Sequence, residues 1–369
     1  MAAAALAAAL AACGSAATPG TGGNHARLSP SASAVPHLPE SSLRNAAAPP
    51  ARYGAALGFD PVSRRLILFG GAAAASPAHP ADATRLDDTW AWNGASWAQL
   101  HPAVSPPPLY GASLVVDPTS GHLLLLSGSG QMDAEGLLEQ QGTWSWDGQS
   151  WSRVGDTLLQ MPFAATGADP THHQVLLSGY DSTYPTQCGR TACVVPQPID
   201  RAGAYVWNGT RWSAAAGQPP EWYAGGTAFD PHSGQLISAG GYAPNGLQST
   251  FGWDGKQWQL VSQTQGFNGV PDPDYPAGPC QAATDVDAGG IVMVCTFSAG
   301  GHATGATWTF DGSTWTRASE ATTVLPAISS LSVADVPIAG AVVMVYPGAA
   351  STEAMRLWNG SDWAAVPAA

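Results

Sequence analysis

Charge is scarce in this sequence. Only 11% of its 369 residues are charged, and Lys256 is the sole lysine. A lysine Schiff-base mechanism therefore has one possible carrier, which sits in a predicted hairpin turn, and that chemistry is set aside. Basic residues number 13 against 26 acidic ones, a formal charge of −13, which argues against nucleic acid or an anionic membrane surface as partner. The apolar run at the N-terminus is shorter than the ~20 residues a membrane-spanning helix needs. Low charge combined with abundant turn formers excludes a coiled coil or a typical helical cytosolic enzyme. Glycine (43) and proline (31) make up a fifth of the chain, below the ~25–30% that marks disorder. With 15 tryptophans, the composition describes a packed, turn-rich β protein.

Residues 1–12 are nearly pure Ala and Leu and end in Leu10-Ala11-Ala12-Cys13, followed by Gly14. This segment resembles the lipobox of bacterial lipoproteins, which implies cleavage before Cys13 and lipidation of that cysteine. It departs from a secretory signal in having no Lys or Arg ahead of the apolar run. Residues 13–50 are rich in Ala, Ser, Pro and Gly and read as a disordered, flexible tether. The globular region is expected to span 51–369.

Four cysteines remain: Cys188, Cys193, Cys280 and Cys295. In an exported chain that even count favours two disulfides over free thiols, and of the three connectivities the local pairing is chosen. Neither pair has zinc-knuckle spacing, so no metal is expected there.

The dominant signal is an internal repeat, Trp-(Asn/Asp)-Gly-x-x-Trp. It occurs at Trp92–Trp97, Trp146–Trp151, Trp207–Trp212, Trp253–Trp258 and Trp358–Trp363, with a Phe310–Trp315 variant. Asn-Gly or Asp-Gly between aromatic strands predicts a type I′ hairpin turn, with positive φ at both central residues. Upstream of each copy, an Asp precedes a turn and an aliphatic run, at Asp60, Asp117, Asp169, Asp230, Asp285 and Asp335. The first four are followed by Pro, which cannot donate to a ladder and prefers a turn, and this predicts a second hairpin. Each unit is thus four strands, a to d, joined by tight a–b and c–d turns.

A four-stranded repeat of about 50 residues belongs to the kelch class. The sequence resembles bacterial kelch-type β-propellers and the central domain of galactose oxidase. The resemblance rests on Gly70-Gly71 and Gly240-Gly241 after strand b, on Asp88-Thr89-Trp90 opening strand c, and on the Trp opening each strand d. It implies an all-β, six-bladed propeller with four antiparallel strands per blade. The double glycine weakens to Gly128-Ser129 and Gly179-Tyr180 and is lost in units five and six. The Asp-box of sialidases is a poorer match, because there the Asp and Gly are separated by one residue.

Antiparallel blades put the short a–b and c–d turns on one face and the b–c and d–a loops on the other. Every long loop is on that second face, where function is expected. Candidate binding residues there are His79, Arg85, Tyr180, Tyr184, Arg190, Trp222, Asp272, Asp274, Tyr275 and His302. Cys188 and Cys193 are expected to pinch one of these loops, and Cys280–Cys295 to brace the a–b hairpin of unit five. Asp272 and Asp274 alone supply too few ligands for calcium. A galactose-oxidase-like copper site needs two Tyr, two His and a cross-linked Cys, and the chain does not supply that set residue by residue. With no nucleophile–base motif or phosphate loop either, no catalytic residue, metal or cofactor is assigned.

The reading is a monomeric, lipid-anchored, extracytoplasmic module that binds a glycan or a protein through its long loops and meets the membrane only through its lipid. The alternative is a propeller enzyme acting on carbohydrates as an oxidase, epimerase or glycosidase.

Overall fold

The repeated turn builds the fold, and its geometry differs from the type I′ expectation. In the computed structural model, Trp92 pairs directly with Trp97, Trp146 with Trp151 and so on round the chain, leaving four-residue loops between them. Only the glycine takes positive φ, between 89° and 100° in all six copies. The preceding Asn or Asp instead folds its side chain inward. Asn93 Oδ1 accepts from the backbone N–H groups of Ala95 and Ser96, both at 2.9 Å. Asp147, Asn208, Asp254, Asp311 and Asn359 do the same. The short polar side chain thus satisfies donors that the wider loop would leave open.

The structure describes residues 48–73, 84–126, 129–130, 142–156, 165–180, 187–188, 193–194, 202–216, 226–240, 247–265, 280–299, 302–318, 332–337, 339–345 and 355–366. All belong to the unit Leu38–Ala369, separate from Met1–His37, so Cys13 and the signal and most of the tether lie outside them. Among the described residues there is no helix.

Six blades of four antiparallel strands form a ring, a six-bladed β-propeller. Blade one comprises strands a to d at Ala56–Asp60, Arg65–Ala73, Arg85–Trp92 and Trp97–Leu100, with a short extra strand, Arg52–Tyr53, on the end of strand b. Blade two uses Ser113–Val116, Leu123–Leu126, Gly142–Trp146 and Trp151–Asp156. Blade three uses Ala165–Asp169, Gln174–Tyr180, Ala202–Trp207 and Trp212–Ala214, and blade four Gly226–Asp230, Gln235–Ala239, Leu247–Trp253 and Trp258–Gln265. Blade five is Cys280–Asp285, Gly290–Ala299, His302–Phe310 and Trp315–Arg317. Blade six is Ser332–Val336, Ala341–Val345, Met355–Trp358 and Trp363–Ala365.

The tryptophans stitch blade to blade. Those ending strand c are buried, and each of five pairs with the strand-d ring of its own blade at centroid distances of 4.8–5.6 Å, Phe310 replacing Trp in blade five. The strand-d indole N–H then crosses to the preceding blade. Trp151 donates to Thr89 Oγ1 at 3.0 Å, Trp212 to Thr143 at 2.7 Å, Trp315 to Thr250 at 3.0 Å and Trp363 to Thr307 at 2.8 Å. Each acceptor is the residue three before the strand-c aromatic.

Blade three carries Ala204 at that position, and Trp258 donates instead to Ser178 Oγ at 3.2 Å. Ser178 is the direct cross-strand partner of Ala204, so the hydroxyl has moved one strand over within the same blade. Ser178→Ala is expected to cost about 1 kcal/mol, the usual net worth of such a bond. Adding Ala204→Thr should restore most of it, as read by urea unfolding; a double variant no better than Ser178→Ala contradicts the assignment.

Ring closure uses no exchanged strand among the described residues, since each blade is built from one continuous segment. The last seam joins strands a of blades six and one through a shared apolar cluster that includes Leu57, Leu68, Trp92, Trp97, Val336, Val343 and Met355. Ser332 donates to the Ala55 carbonyl at 2.7 Å, and Trp97 donates to Met355 Sδ at 3.0 Å, the sulfur standing where other blades present a hydroxyl.

The a–b turns are closed by buried aspartates. Asp60 accepts from the Val62 and Ser63 amides and from the Ser63 hydroxyl, and Asp230 does so from His232 and Ser233. Asp117, Asp169 and Asp285 cap their turns likewise. Asp335 does not belong to this series. Asp60 pairs with Arg65, Asp169 with Gln174 and Asp285 with Gly290, but in blade six it is Val336 that pairs with Ala341. The sequence alignment through Asp335 is therefore one residue out. Because strand side chains alternate sides, that single step moves the carboxylate off the turn.

Candidate functional site

Each strand a is the inner edge of its blade, and the six together enclose a central channel of about 460 Å³. Its lining is dominated by small and apolar residues, such as Gly58, Ala112, Ser113, Gly167, Ala228 and Ala282. Small side chains fit where six strands converge on an axis. The last inward position before each a–b turn forms a ring of Phe59, Val116, Ala168, Phe229, Thr284 and Asp335 at the turn-face mouth. Asp335 is the one charged side chain lining the channel among the described residues.

The loop-face mouth is built differently. Gly54 and Gly111 lead into strands a of blades one and two, both at positive φ, and the Gly111 N–H donates to the Gly54 carbonyl at 2.8 Å. A Cβ on Gly54 would lie 2.5 Å from the Tyr110 ring, so glycine here makes room for that ring. The Arg85 guanidinium sits 4.7 Å from the Tyr110 centroid, a cation–π arrangement. Burial pulls the Arg85 pKa below its ordinary value and pushes the Tyr110 hydroxyl above its own.

Blade one also holds a charged clamp. Arg52, buried at the end of its short strand, makes a two-pronged bond to Asp88 at 2.5 and 2.9 Å and donates to the Gly70 carbonyl at 3.0 Å. Trp90 Nε1 donates to Asp88 Oδ2 at 2.6 Å. Burial would raise the Asp88 pKa, but the hydrogen bonds from Arg52 and Trp90 outweigh it and hold the carboxyl below its usual range. The double glycine explains how Arg52 reaches this position. Gly70 and Gly71 take φ of 62° and 96° and break the strand b–c register, with no room for a Cβ against the carbonyls of Leu109, Leu86 and Tyr53.

Of the residues named from sequence, Arg85 opens strand c of blade one, at its loop-face end. Tyr180 ends strand b of blade three, opposite Ala202, and His302 opens strand c of blade five, opposite Ala299, so both lie at the loop-face ends of strands. His79, Tyr184, Arg190, Trp222, Asp272, Asp274 and Tyr275 lie outside the described residues. Cys280 and Cys295 are joined by a disulfide across the a–b ladder of blade five, as their alignment implied. Cys188 and Cys193 face each other in a separate two-stranded ladder. The sequence singled out neither Tyr110 nor Arg52. The signal was there in the aligned pairs Arg52-Tyr53 and Leu109-Tyr110, each directly ahead of a glycine that leads into a strand a.

The two faces differ in what their polar groups do. On the turn face the capping Asp and Asn side chains are spent on their own loops, as described above, Asp335 standing outside that series. On the loop face Arg85 stacks on Tyr110, which abuts Gly54 at the end of the channel, and Arg52 binds Asp88 on the strand that Arg85 opens.

No family model matches the chain, and no curated protein does. Among solved structures it is similar to the Aleuria aurantia lectin, a six-bladed propeller with a fucose recognition mode, at 14% identity over 85% of this chain and 96% of that one, with a TM-score of 0.40. It is also similar to a gluconolactonase from Xanthomonas campestris, at 14% identity over 83% and 86% of the two chains and a TM-score of 0.40. A third is a xyloglucanase from the same organism, at 15% identity, covering 84% of this chain but 47% of that one, with a TM-score of 0.42. Likenesses this remote assign neither family nor function to the chain.

Proposed function

We propose that the protein is a lipid-anchored, extracytoplasmic propeller of kelch type that binds a glycan at the loop-face mouth of its channel. The observation that carries this reading is the Arg85–Tyr110 stack, set against Gly54 at the loop-face end of the channel, with Asp88 of the Arg52–Asp88 clamp on the same strand as Arg85. A flat aromatic ring held by packing presents large contact area at little entropic cost, and a guanidinium beside it donates to sugar hydroxyls or carboxylates. The lipobox-like Leu10–Cys13 segment supports the anchor, and the repeat with its Gly70-Gly71 bulge supports the kelch relationship. A protein surface bearing the same groups is the other ligand class for this rim.

The test is a thermal-shift screen of the oxidised chain against a glycan panel. A ligand at 100 times its dissociation constant stabilises the native state by about 2.7 kcal/mol. A glycan hit is expected whose affinity falls roughly ten- to thirty-fold in Arg85→Ala, as for a residue central to an interface. A hit with affinity unchanged in Arg85→Ala would place binding elsewhere.

A further inference from the structure

Blade six breaks the repeat where it meets blade five. Val336, fully buried, takes the place that a capping aspartate holds in the other five blades, and Asp335 stands one residue earlier, half-buried at the turn-face mouth of the channel. Strand a of blade six packs against strand a of blade five, which ends in Asp285 and leads into Asp287. Asp287 reaches toward the blade-six turn, where its Oδ2 would lie 3.1 Å from a Cβ on Gly340. Three carboxyl groups from two blades therefore share one junction. We infer that this junction is a proton-operated latch, in which protonated Asp335 lets blade six close onto blade five and its ionisation loosens the turn-face mouth of the channel.

The surroundings support a single responding group. Asp285 is engaged by the Ala288 amide, and Asp287 is exposed. The Thr284 hydroxyl, the nearest ring neighbour on blade five, donates to the Phe229 carbonyl. Strand b of blade six, Ala341–Val345, contributes no titratable side chain. From blade one, Asp60 is bound within its own turn and Arg65 pairs with it in the ladder. Among the described residues, no cation acts on Asp335. Burial first, then the charges of Asp285 and Asp287, push its pKa up to about 7, against a smaller opposing effect of the Val336 amide.

An unfolded aspartate ionises near pH ~3.9, so between about pH 4 and 7 the native state holds the extra proton. The stability this contributes is full below that window and is lost as pH rises through about 7.

The experiment is amide hydrogen exchange on the full chain between about pH 5.5 and 8.5, corrected for intrinsic rates, comparing the blade-six strands Ser332–Val336 and Ala341–Val345 with blade three as internal reference. Protection of the blade-six strands is expected to fall about tenfold or more as pH rises, with blade three unchanged. Asp335→Asn, uncharged at every pH, should remove the dependence, and Asp287→Asn, at an exposed position, should move its midpoint to lower pH. An unvarying wild type, a dependence that persists in Asp335→Asn, or a midpoint unmoved by Asp287→Asn would each overturn the latch.

Discussion

Trp253→Ala is expected to destabilise the protein by about 3–5 kcal/mol, the range for removing a fully buried tryptophan from a core that cannot collapse. Trp253 is inaccessible and packs with Leu176, Ala204 and Leu236, so it fills the space between blades three and four. Its neighbour Trp258 is 5.6 Å away between ring centroids and is tied to Ser178, which prevents it from moving into the gap. Phenylalanine holds the equivalent place in blade five as Phe310, so Trp253→Phe should cost much less. Chemical denaturation reads both. Equal losses for the two variants would contradict the account of these rings as inter-blade filling.

Removing the Cys280–Cys295 disulfide is the second large effect. The bond closes a 15-residue loop, which corresponds to roughly 3 kcal/mol of restricted unfolded-state freedom. Both cysteines are buried beside Met293 and Ala239, so Cys→Ser also leaves polar groups in an apolar cluster. The double Cys280→Ser, Cys295→Ser variant, or reduction of the wild type, should lower the melting temperature by several degrees. Cys280 lines the channel at the loop-face end of strand a, and the loss should therefore loosen blade five locally before the ring fails. A melting temperature unchanged by reduction would show that the ladder alone holds this hairpin.

The fold was largely legible because its signals are local and repeated. The Trp-(Asn/Asp)-Gly-x-x-Trp motif marks the c–d hairpin six times, and an error in one copy leaves the architecture standing. Turn type was not legible, since Asn-Gly suits both a two-residue turn and the observed four-residue loop capped by its own Asn or Asp. The register of blade six was hidden for a related reason. An Asp stands one residue from the repeat position, and only backbone pairing shows that Val336 occupies it. Ring closure could not be read because side-chain packing between first and last blades leaves no linear motif. Of the site, Arg85 was found from its loop, whereas Tyr110 and Arg52 were passed over because residues opening strands read as framework.

The most direct test of the central claim is a footprint of the bound ligand. Hydrogen exchange of the full chain, with and without the best glycan from the screen, should show added protection at residues 52–54, 84–88 and 109–111, and none at the turn-face loops 61–64, 118–121 and 231–234. Protection confined to the turn-face loops would contradict the assignment of the loop-face mouth as the binding site.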